Sequence, residues 1–246
     1  MGEIGGHMDR NEMIEKMLRT PPLGPDDKFR FYCTACGDCC YNPEGIILAP
    51  SDIYRGAKYL GIPVGSFIIQ YCTMYIGSST HFPLLTLKME GYRNKCVFLD
   101  DRNKCRIHKA KPGVCETFPL GRMISEEHPD IIEYRLQPID CGKRCKEYTV
   151  REWLSGTGFE TSNELYIAWG SKSVELCKKT MRLHKALGDD GIELLAPKIA
   201  FLMYSDYDTG KEFMPQYEEN CRRVAALLEM VDDYVQKESE NAEEVR

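Results

Sequence analysis

The amino-acid sequence predicts an α+β fold, in which a small, irregular, cysteine-rich domain of short strands and helices precedes a helical C-terminal region. Up to about residue 150 the apolar runs are short and are broken by Gly, Pro, Asp and Asn. Beyond that point, apolar residues recur every three or four positions over long stretches. We therefore expect an N-terminal helix and linker at residues 1–29, the cysteine-rich domain at 30–150, and a helical region packed on it at 151–246.

The elements of the first 150 residues follow from apolar periodicity and from the residues that end helices or form turns. The predicted helices cover residues 11–19, 53–60 and 64–75. The predicted strands cover residues 45–49, 82–89, 96–99 and 131–136, and residues 100–104 form a hairpin turn. Such short elements bury a thin apolar core, so a bound metal that cross-links them would add stability.

The C-terminal region is predicted to consist of amphipathic helices. They cover residues 163–187, 192–203 and 217–235. The first ends at Gly188, and its apolar stripe comprises Val174, Cys177, Met181 and His184. The polar segment 238–246 is expected to fray.

Composition and charge exclude several classes of protein. The net charge of −6 offers no basic surface to nucleic acid or to an anionic membrane. No apolar run is long enough to span a membrane, and residues 1–19 lack the apolar stretch of a secretory signal. We therefore expect a cytoplasmic protein. Because cytosolic thiols are kept reduced, the twelve cysteines favour metal ligation over disulfides.

The central motif is Cys33-Thr34-Ala35-Cys36-Gly37-Asp38-Cys39-Cys40. Two-residue spacing lets the backbone curl so that successive thiolates converge, and Gly37 permits a tight turn. Backbone N–H groups in such a turn can point at the sulfurs, and the spacing is typical of both zinc modules and ferredoxins. Since adjacent side chains usually diverge, Cys40 is expected to serve a second centre, or a different atom of a cluster from Cys39.

Nine cysteines between residues 33 and 145 are candidate metal ligands. They are Cys33, Cys36, Cys39, Cys40, Cys96, Cys105, Cys115, Cys141 and Cys145. Eight thiolates would fill two four-coordinate sites, although a single site stays open as an alternative. The excess negative charge is expected to be offset by neighbouring cations, namely Arg106, Lys143, Arg144 and Lys146.

The C-x₂-C-x₂-C-C run is followed by the segment CVFLDDRNKCRIHKAKPGVCETFP, from Cys96 to Pro119. In order, in spacing and in the Lys-Pro-x-x-Cys-x-x-Phe-Pro tail, residues 31–145 resemble the YkgJ-type cysteine-cluster family. The resemblance implies a zinc- or iron-chelating domain, and some members are iron–sulfur proteins. It places the family's cysteines at Cys33, Cys36, Cys39, Cys40, Cys96, Cys105 and Cys115, with either Cys141 or Cys145 as the eighth.

The sequence departs from the family pattern at two positions. His108 stands where an aromatic residue is usual, and Lys111 where arginine is usual. Neither change removes a thiolate, and His108 becomes a candidate extra ligand or a support for the metal. The same domain occurs in flagellin lysine N-methylases, which use S-adenosylmethionine, but the chain lacks a Gly-rich nucleotide loop and is short for that enzyme.

The remaining candidates have structural interpretations. Cys72, Cys177 and Cys221 are interpreted as buried core thiols, His81 and His128 as surface loop residues, and Asp100 and Asp101 as turn residues.

Three functions stay open on the sequence. The first is an iron–sulfur protein, preferably with a 4Fe-4S cluster and a redox role; the second is a zinc-stapled structural or interaction module, without catalysis, that meets a protein partner. The third is an S-adenosylmethionine-dependent protein lysine N-methyltransferase. No nucleophile–base pair, phosphate loop or H-E-x-x-H motif points to a catalytic site, so whether the protein is an enzyme stays open.

Overall fold

The computed structural model describes residues 10–41, 46–124, 132–138, 141–157 and 160–244. Its helices are α1 (Arg10–Arg19), α2 (Pro50–Leu60), α3 (Val64–Tyr71), α4 (Gly113–Thr117), α5 (Val150–Thr157), α6 (Glu160–Ala200) and α7 (Phe213–Glu244). Its strands are β1 (Lys28–Tyr32), β2 (Cys72–Ile76), β3 (Pro83–Leu87), β4 (Met89–Glu90), β5 (Lys95–Cys96), β6 (Leu120–Ile124), β7 (Ile132–Leu136) and β8 (Lys143–Thr149). Short 3₁₀ turns lie at Asp38–Cys40 and His108–Ala110, and a π-helical turn follows α6 at Phe201–Ser205.

The α+β prediction is confirmed. The strands pair as β1 with β8, β2 with β3, β4 with β5 and β6 with β7, each a two-stranded sheet. Two-stranded sheets are only marginally stable alone, so helices and cross-links must supply the rest of the core.

Several predicted elements differ from the observed ones. The helix expected at 64–75 ends at Tyr71, because Cys72 adopts an extended backbone and begins β2. The strand expected at 96–99 ends at Cys96, and residues 97–98 form a turn. The segment 238–246 was expected to fray, but α7 continues to Glu244. Of the strand expected at 45–49, Gly45 lies outside the described residues and Ile47 makes one isolated bridge with Thr86.

The chain divides into two compact units. The first comprises Met1–Ile47 and Thr86–Ile167, and the second comprises Leu48–Leu85 and Ala168–Arg246. Residues 48–85, which lie inside the predicted 30–150 domain, therefore belong with the C-terminal helices.

The first unit has a small aromatic core between β1, β6 and α5. Phe29, Phe31, Leu120 and Val150 are buried together. The Trp153 ring meets both phenylalanines edge-on, with centroids 5.8 Å from Phe29 and 5.6 Å from Phe31. Alternate residues of β1 enter this core, because successive side chains of a strand point to opposite faces.

The second unit has the larger apolar core. Helices α2 and α3 pack against the π-helical turn, and α2 also packs against α7. A stack of rings links these elements, with centroids 5.3 Å apart for Tyr54 and Phe213 and 5.4 Å apart for Phe213 and Tyr217. The sequence predicts an amphipathic helix over 217–235 with six recurring apolar residues. Four of them are buried in α7, namely Tyr217, Cys221, Val224 and Leu228, and the other two, Val231 and Val235, are half-buried.

The buried face of α6 differs from the predicted stripe. Between residues 174 and 184, the buried side chains are Leu176, Thr180 and Leu183, whereas Met181 is 42% exposed. The helical break at Gly188 is observed, with φ 68° and ψ −171° inside what is otherwise a continuous helix. Across the described residues, no helix combines the length and the apolarity that crossing a membrane requires.

Candidate metal centre

The pairing of β1 with β8 brings the first cysteine run beside Cys141. Cys33 directly follows β1, and the last residue of that strand, Tyr32, pairs with Lys143, two positions after Cys141. Gly142 makes the junction, with φ 74°. A Cβ at this position would lie 2.5 Å from the Phe31 ring and 3.0 Å from the Tyr32 carbonyl oxygen, so only glycine fits.

The loop from Cys33 to Cys40 curls as its spacing predicts. Ala35 and Gly37 both adopt left-handed backbone conformations, with φ 54° and 84°. The 3₁₀ turn that follows is closed by the Cys40 N–H, which donates to the Gly37 carbonyl at 2.8 Å. These turns replace extended backbone and keep the four cysteines of the motif in one short loop.

A hairpin carries the next two cysteines to the same region. Tyr41 bridges to Lys95, which places Cys40 close to Cys96 along the backbone. Leu99 bridges to Cys105 and closes the hairpin. The predicted turn at 100–104 is confirmed, since the Asp100 carboxylate accepts hydrogen bonds from the N–H groups of residues 102 and 104 at 2.9 and 2.8 Å.

The Lys-Pro-x-x-Cys-x-x-Phe-Pro tail presents Cys115 from α4. The Cys115 N–H donates to the Pro112 carbonyl at 2.8 Å and so fixes the first turn of the helix. Beyond the cysteine, the Trp153 indole donates to the Thr117 carbonyl at 3.1 Å, and the Phe118 ring lies 6.0 Å from Phe31. The tail is therefore anchored to the aromatic core while its cysteine faces the other thiols.

Electrostatic interactions group the thiols around Cys39. Burial raises the pKa of Cys115, and the neighbouring sulfurs of Cys96, Cys39 and Cys105 raise it further. Burial also raises the pKa of Cys141 to about 11, and the sulfurs of Cys39, Cys36 and Cys33 add to this shift. Cys39 is therefore close enough to affect the pKa of both Cys115 and Cys141.

Cys145 stands apart from the grouped thiols. It is exposed on β8, whereas Cys141 is half-buried beside the aromatic core. The three cysteines interpreted as core residues, Cys72, Cys177 and Cys221, belong to the second unit. Cys72 and Cys221 are buried and Cys177 is half-buried.

Residues 32–142 match a protein-family model described as "CxxCxxCC: Putative zinc- or iron-chelating domain". These residues are similar to that family, and we call residues 32–142 the CxxCxxCC domain after their C-x₂-C-x₂-C-C motif. The match agrees with the resemblance found in the sequence, and it includes every candidate cysteine from Cys33 to Cys141 but not Cys145. No solved structure matches the chain.

Within the CxxCxxCC domain, Cys39 and Cys40 form a close pair. Their sulfurs are 4.0 Å apart, although their side chains are adjacent in sequence. The hydrogen bond from the Cys40 thiol lowers the pKa of Cys39 to about 7, and the same contact raises the pKa of Cys40. One thiolate is therefore readily formed at this pair, and metal binding must displace the second proton.

Backbone N–H groups point at three sulfurs, as expected for a thiolate-binding turn. The Ala35 N–H donates to Cys33 Sγ at 3.4 Å. Burial raises the pKa of Cys96 and Cys105, and N–H groups of Phe98 and Ile107 partly offset this. Each donor lies two residues after its cysteine, so the same local turn recurs at three candidate ligands and stabilises negative charge on their sulfurs.

Lys111 places a positive charge near several thiols, a role that the sequence did not predict for it. Its positive charge opposes the upward pKa shifts of Cys105 and Cys115. It also adds to the lowering of the pKa of His108, which is caused first by burial and which favours the neutral imidazole. The sequence feature that could have predicted this role is the position of Lys111, directly before the proline of the Lys-Pro-x-x-Cys-x-x-Phe-Pro tail.

The four cations predicted to offset the thiolate charge make contacts elsewhere in the first unit or are exposed. The Arg106 guanidinium donates to the Val97 carbonyl at 2.7 Å and acts only weakly on Cys105. Arg144 lies over the Phe31 ring at 5.7 Å, and Lys146 lies over the Tyr148 ring at 4.7 Å. Lys143 is exposed at the start of β8. The expectation that these four cations offset the excess thiolate charge therefore stays a prediction, supported at Cys105 by the charge of Arg106.

The thiols of the domain are spread rather than clustered at one point. Among the described residues, which include all nine candidate cysteines, no three cysteine sulfurs lie within 4.8 Å of one another. The donor set consists of soft sulfur ligands, which zinc and iron–sulfur clusters both accept.

Proposed function

We propose that the CxxCxxCC domain binds iron–sulfur clusters through two sets of four thiolates and that it serves a redox role. Zinc chelation or iron chelation is the general property of the domain. The observation that supports a cluster is the spread of the sulfurs. A single tetrahedral zinc ion with Zn–S bonds near 2.3 Å holds its sulfurs about 3.8 Å apart. Irons distributed over a cluster keep their cysteine sulfurs further from one another.

The two proposed sets follow from the chain path and from the interactions between thiols. The loop set consists of Cys33, Cys36, Cys39 and Cys141. The hairpin set consists of Cys40, Cys96, Cys105 and Cys115. This division assigns the adjacent pair Cys39 and Cys40 to different sets, and it uses Cys141 rather than the exposed Cys145 as the eighth ligand.

The chain supports thiolates at both sets with groups that are already in place. The backbone N–H groups described above reach Cys33 of the loop set, and Cys96 and Cys105 of the hairpin set. Lys111 adds a positive charge beside the hairpin set. A bound cluster would accept and release single electrons, and these donors would stabilise its more negative state.

Zinc is the second candidate, because one pair of thiols has the matching spacing. The 4.0 Å between the sulfurs of Cys39 and Cys40 is close to the separation expected on one zinc ion. On this alternative the domain is a zinc-stapled module, and the other thiols close around the ion when it binds.

Metal and acid-labile sulfide analysis of protein purified without oxygen tests the proposal. We expect iron and sulfide in matching amounts, with visible absorption that is bleached by dithionite. Zinc without sulfide, in protein from cells supplied with iron, would overturn the cluster and leave the zinc module. The iron count per chain distinguishes one cluster from two.

A further inference from the structure

The second unit contains a separate cluster of metal-ligating side chains, formed by His81, His184 and Asp189. One ligand atom from each residue lies within 4.8 Å of the other two. His184 Nε2 and Asp189 Oδ1 are 2.9 Å apart, and the two imidazole rings stack with centroids 3.5 Å apart and planes 8° from parallel. The cluster shares no residue with the nine candidate cysteines, so it is independent of the proposed function.

The turn that carries His81 is held on α6 by a partly buried hydrogen bond. Thr180 Oγ1 donates to the Thr80 carbonyl at 2.7 Å, and Thr180 is fully buried. His184 lies one helical turn after Thr180, on the same side of α6. His81 itself has a left-handed backbone, with φ 52°, and its N–H donates to the Gly77 carbonyl at 2.7 Å. The residue is half-buried and lies in the loop between β2 and β3.

The break in α6 brings the carboxylate to the imidazoles. Residues five apart on a continuous helix point in different directions, so Asp189 could not face His184 without a break. Gly188 adopts φ 68° and ψ −171°, a conformation that is open essentially to glycine alone. The chain thus uses an unusual backbone at two positions, 81 and 188, to assemble one group of three ligands.

We propose that these three residues bind a divalent transition-metal ion of the zinc class. Two imidazoles and one carboxylate form a donor set that such ions prefer, and three protein ligands leave a coordination position for water. The side chains of His184 and Asp189 are 28% and 84% exposed, so an ion can enter from solvent. Because ring nitrogens donate in the plane of the ring, the parallel imidazoles must tilt towards each other when the ion binds.

The alternative is a metal-free cluster in which Asp189 only orients His184 and His81 only stacks on it. The two interpretations differ in zinc stoichiometry. We would first saturate the thiols of the CxxCxxCC domain, in the full chain, with the metal that they bind. Further uptake of Zn²⁺ would then be measured by equilibrium dialysis. The wild-type chain is expected to take up one further equivalent of Zn²⁺.

Substitutions at the cluster locate that equivalent. We expect His184→Gln to abolish it, and Asp189→Asn to weaken the affinity by about tenfold or more. Asp190→Asn is the matched control, because it removes the same charge from the adjacent, exposed position, and it should leave the uptake unchanged. Since Asp189 is also exposed, its substitution does not depend on core packing and remains informative if the histidine variant fails to fold.

Imidazole NMR provides a second readout that does not depend on counting metal. On addition of Zn²⁺ to the loaded chain, the ring ¹⁵N signals of His81 and His184 should both shift, and they should stop titrating with pH. The proposal is overturned if wild-type protein takes up no further equivalent. It is equally overturned if the equivalent persists in both His184→Gln and Asp189→Asn, or if the two rings do not respond.

Discussion

Single residues around the thiols are constrained by backbone conformation as much as by chemistry. Gly142 separates Cys141 from β8 at φ 74°, with no room for a Cβ beside Phe31. Ala35 and Asn103 also adopt positive φ, in the two loops that approach each other at Gly37. The loops that carry the candidate ligands therefore depend on residues that are not candidate ligands themselves.

Gly142→Ala should destabilise the protein by about 3 kcal/mol, because it adds a left-handed alanine and a clash with the Phe31 ring. Gly156→Ala is the control, since a Cβ there meets nothing within 4 Å and the position is helical. We expect the control to be neutral or to stabilise by up to about 1 kcal/mol. Chemical denaturation of metal-loaded protein measures both; equal effects of the two substitutions would contradict the packing argument.

Cys141 and Cys145 provide a direct test of the eighth ligand. Cys141→Ser should remove the metal of the loop set, because its thiol lies among those of Cys33, Cys36 and Cys39. Cys145→Ser should leave the metal content unchanged, because Cys145 lies within β8 rather than before its first residue and is outside the matched segment. Metal per chain is measured by elemental analysis after anaerobic purification. Loss of metal in Cys145→Ser with retention in Cys141→Ser would reverse the assignment.

At the scale of elements, pairings between distant segments bring the candidate ligands together. The β1–β8 ladder places the first cysteine loop beside Cys141, and the bridge from Tyr41 to Lys95 places it beside the hairpin. The anchor of α4 is the aromatic core rather than the metal centre, through Trp153 and Phe118. Each set of thiols is therefore assembled from elements that do not neighbour each other in sequence.

Thr180 connects the turn between β2 and β3 to α6, and its hydroxyl is expected to hold that turn closed. Thr180→Val removes the donor to the Thr80 carbonyl, at a cost of about 1–2 kcal/mol. We expect the His81 amide, bonded to Gly77, to exchange its hydrogen faster in this variant. Thr180→Ser keeps the hydroxyl and should keep most of the protection. Unchanged exchange in Thr180→Val, measured by NMR, would show that the turn is held by other contacts.

At the scale of the molecule, the two units differ in what stabilises them. More of the buried apolar side chains of the described residues belong to the second unit, which includes the Tyr54, Phe213 and Tyr217 rings. The first unit has a small core and two-stranded sheets.

Removing the metal should therefore weaken the first unit selectively. In metal-free protein we expect the backbone amides of residues 28–40 and 95–117 to lose protection from hydrogen exchange, because metal binding and folding are coupled in such domains. The amides of α2 and α7 should keep their protection, since their core contains no candidate ligand. Mass spectrometry of the exchanged protein, with and without metal, measures this. Equal loss of protection in both units would contradict it.

The sequence by itself determined the metal-binding character of the chain and most of its local structure. Cysteine order and spacing are local properties, so they predicted the CxxCxxCC domain, and apolar periodicity predicted α1, α2 and the stripe of α7. The turn at 100–104 was equally predictable, because Asp100 bonds to its own neighbours.

Only the tertiary structure decided which distant residues meet. The choice between Cys141 and Cys145 depends on the register of β8 against β1, and the role of Lys111 depends on where the tail packs. The cluster of His81, His184 and Asp189 requires both a docked turn and the break at Gly188. The physical reason is that strand register and helix breaks are set by packing between segments, which no pattern within one segment encodes.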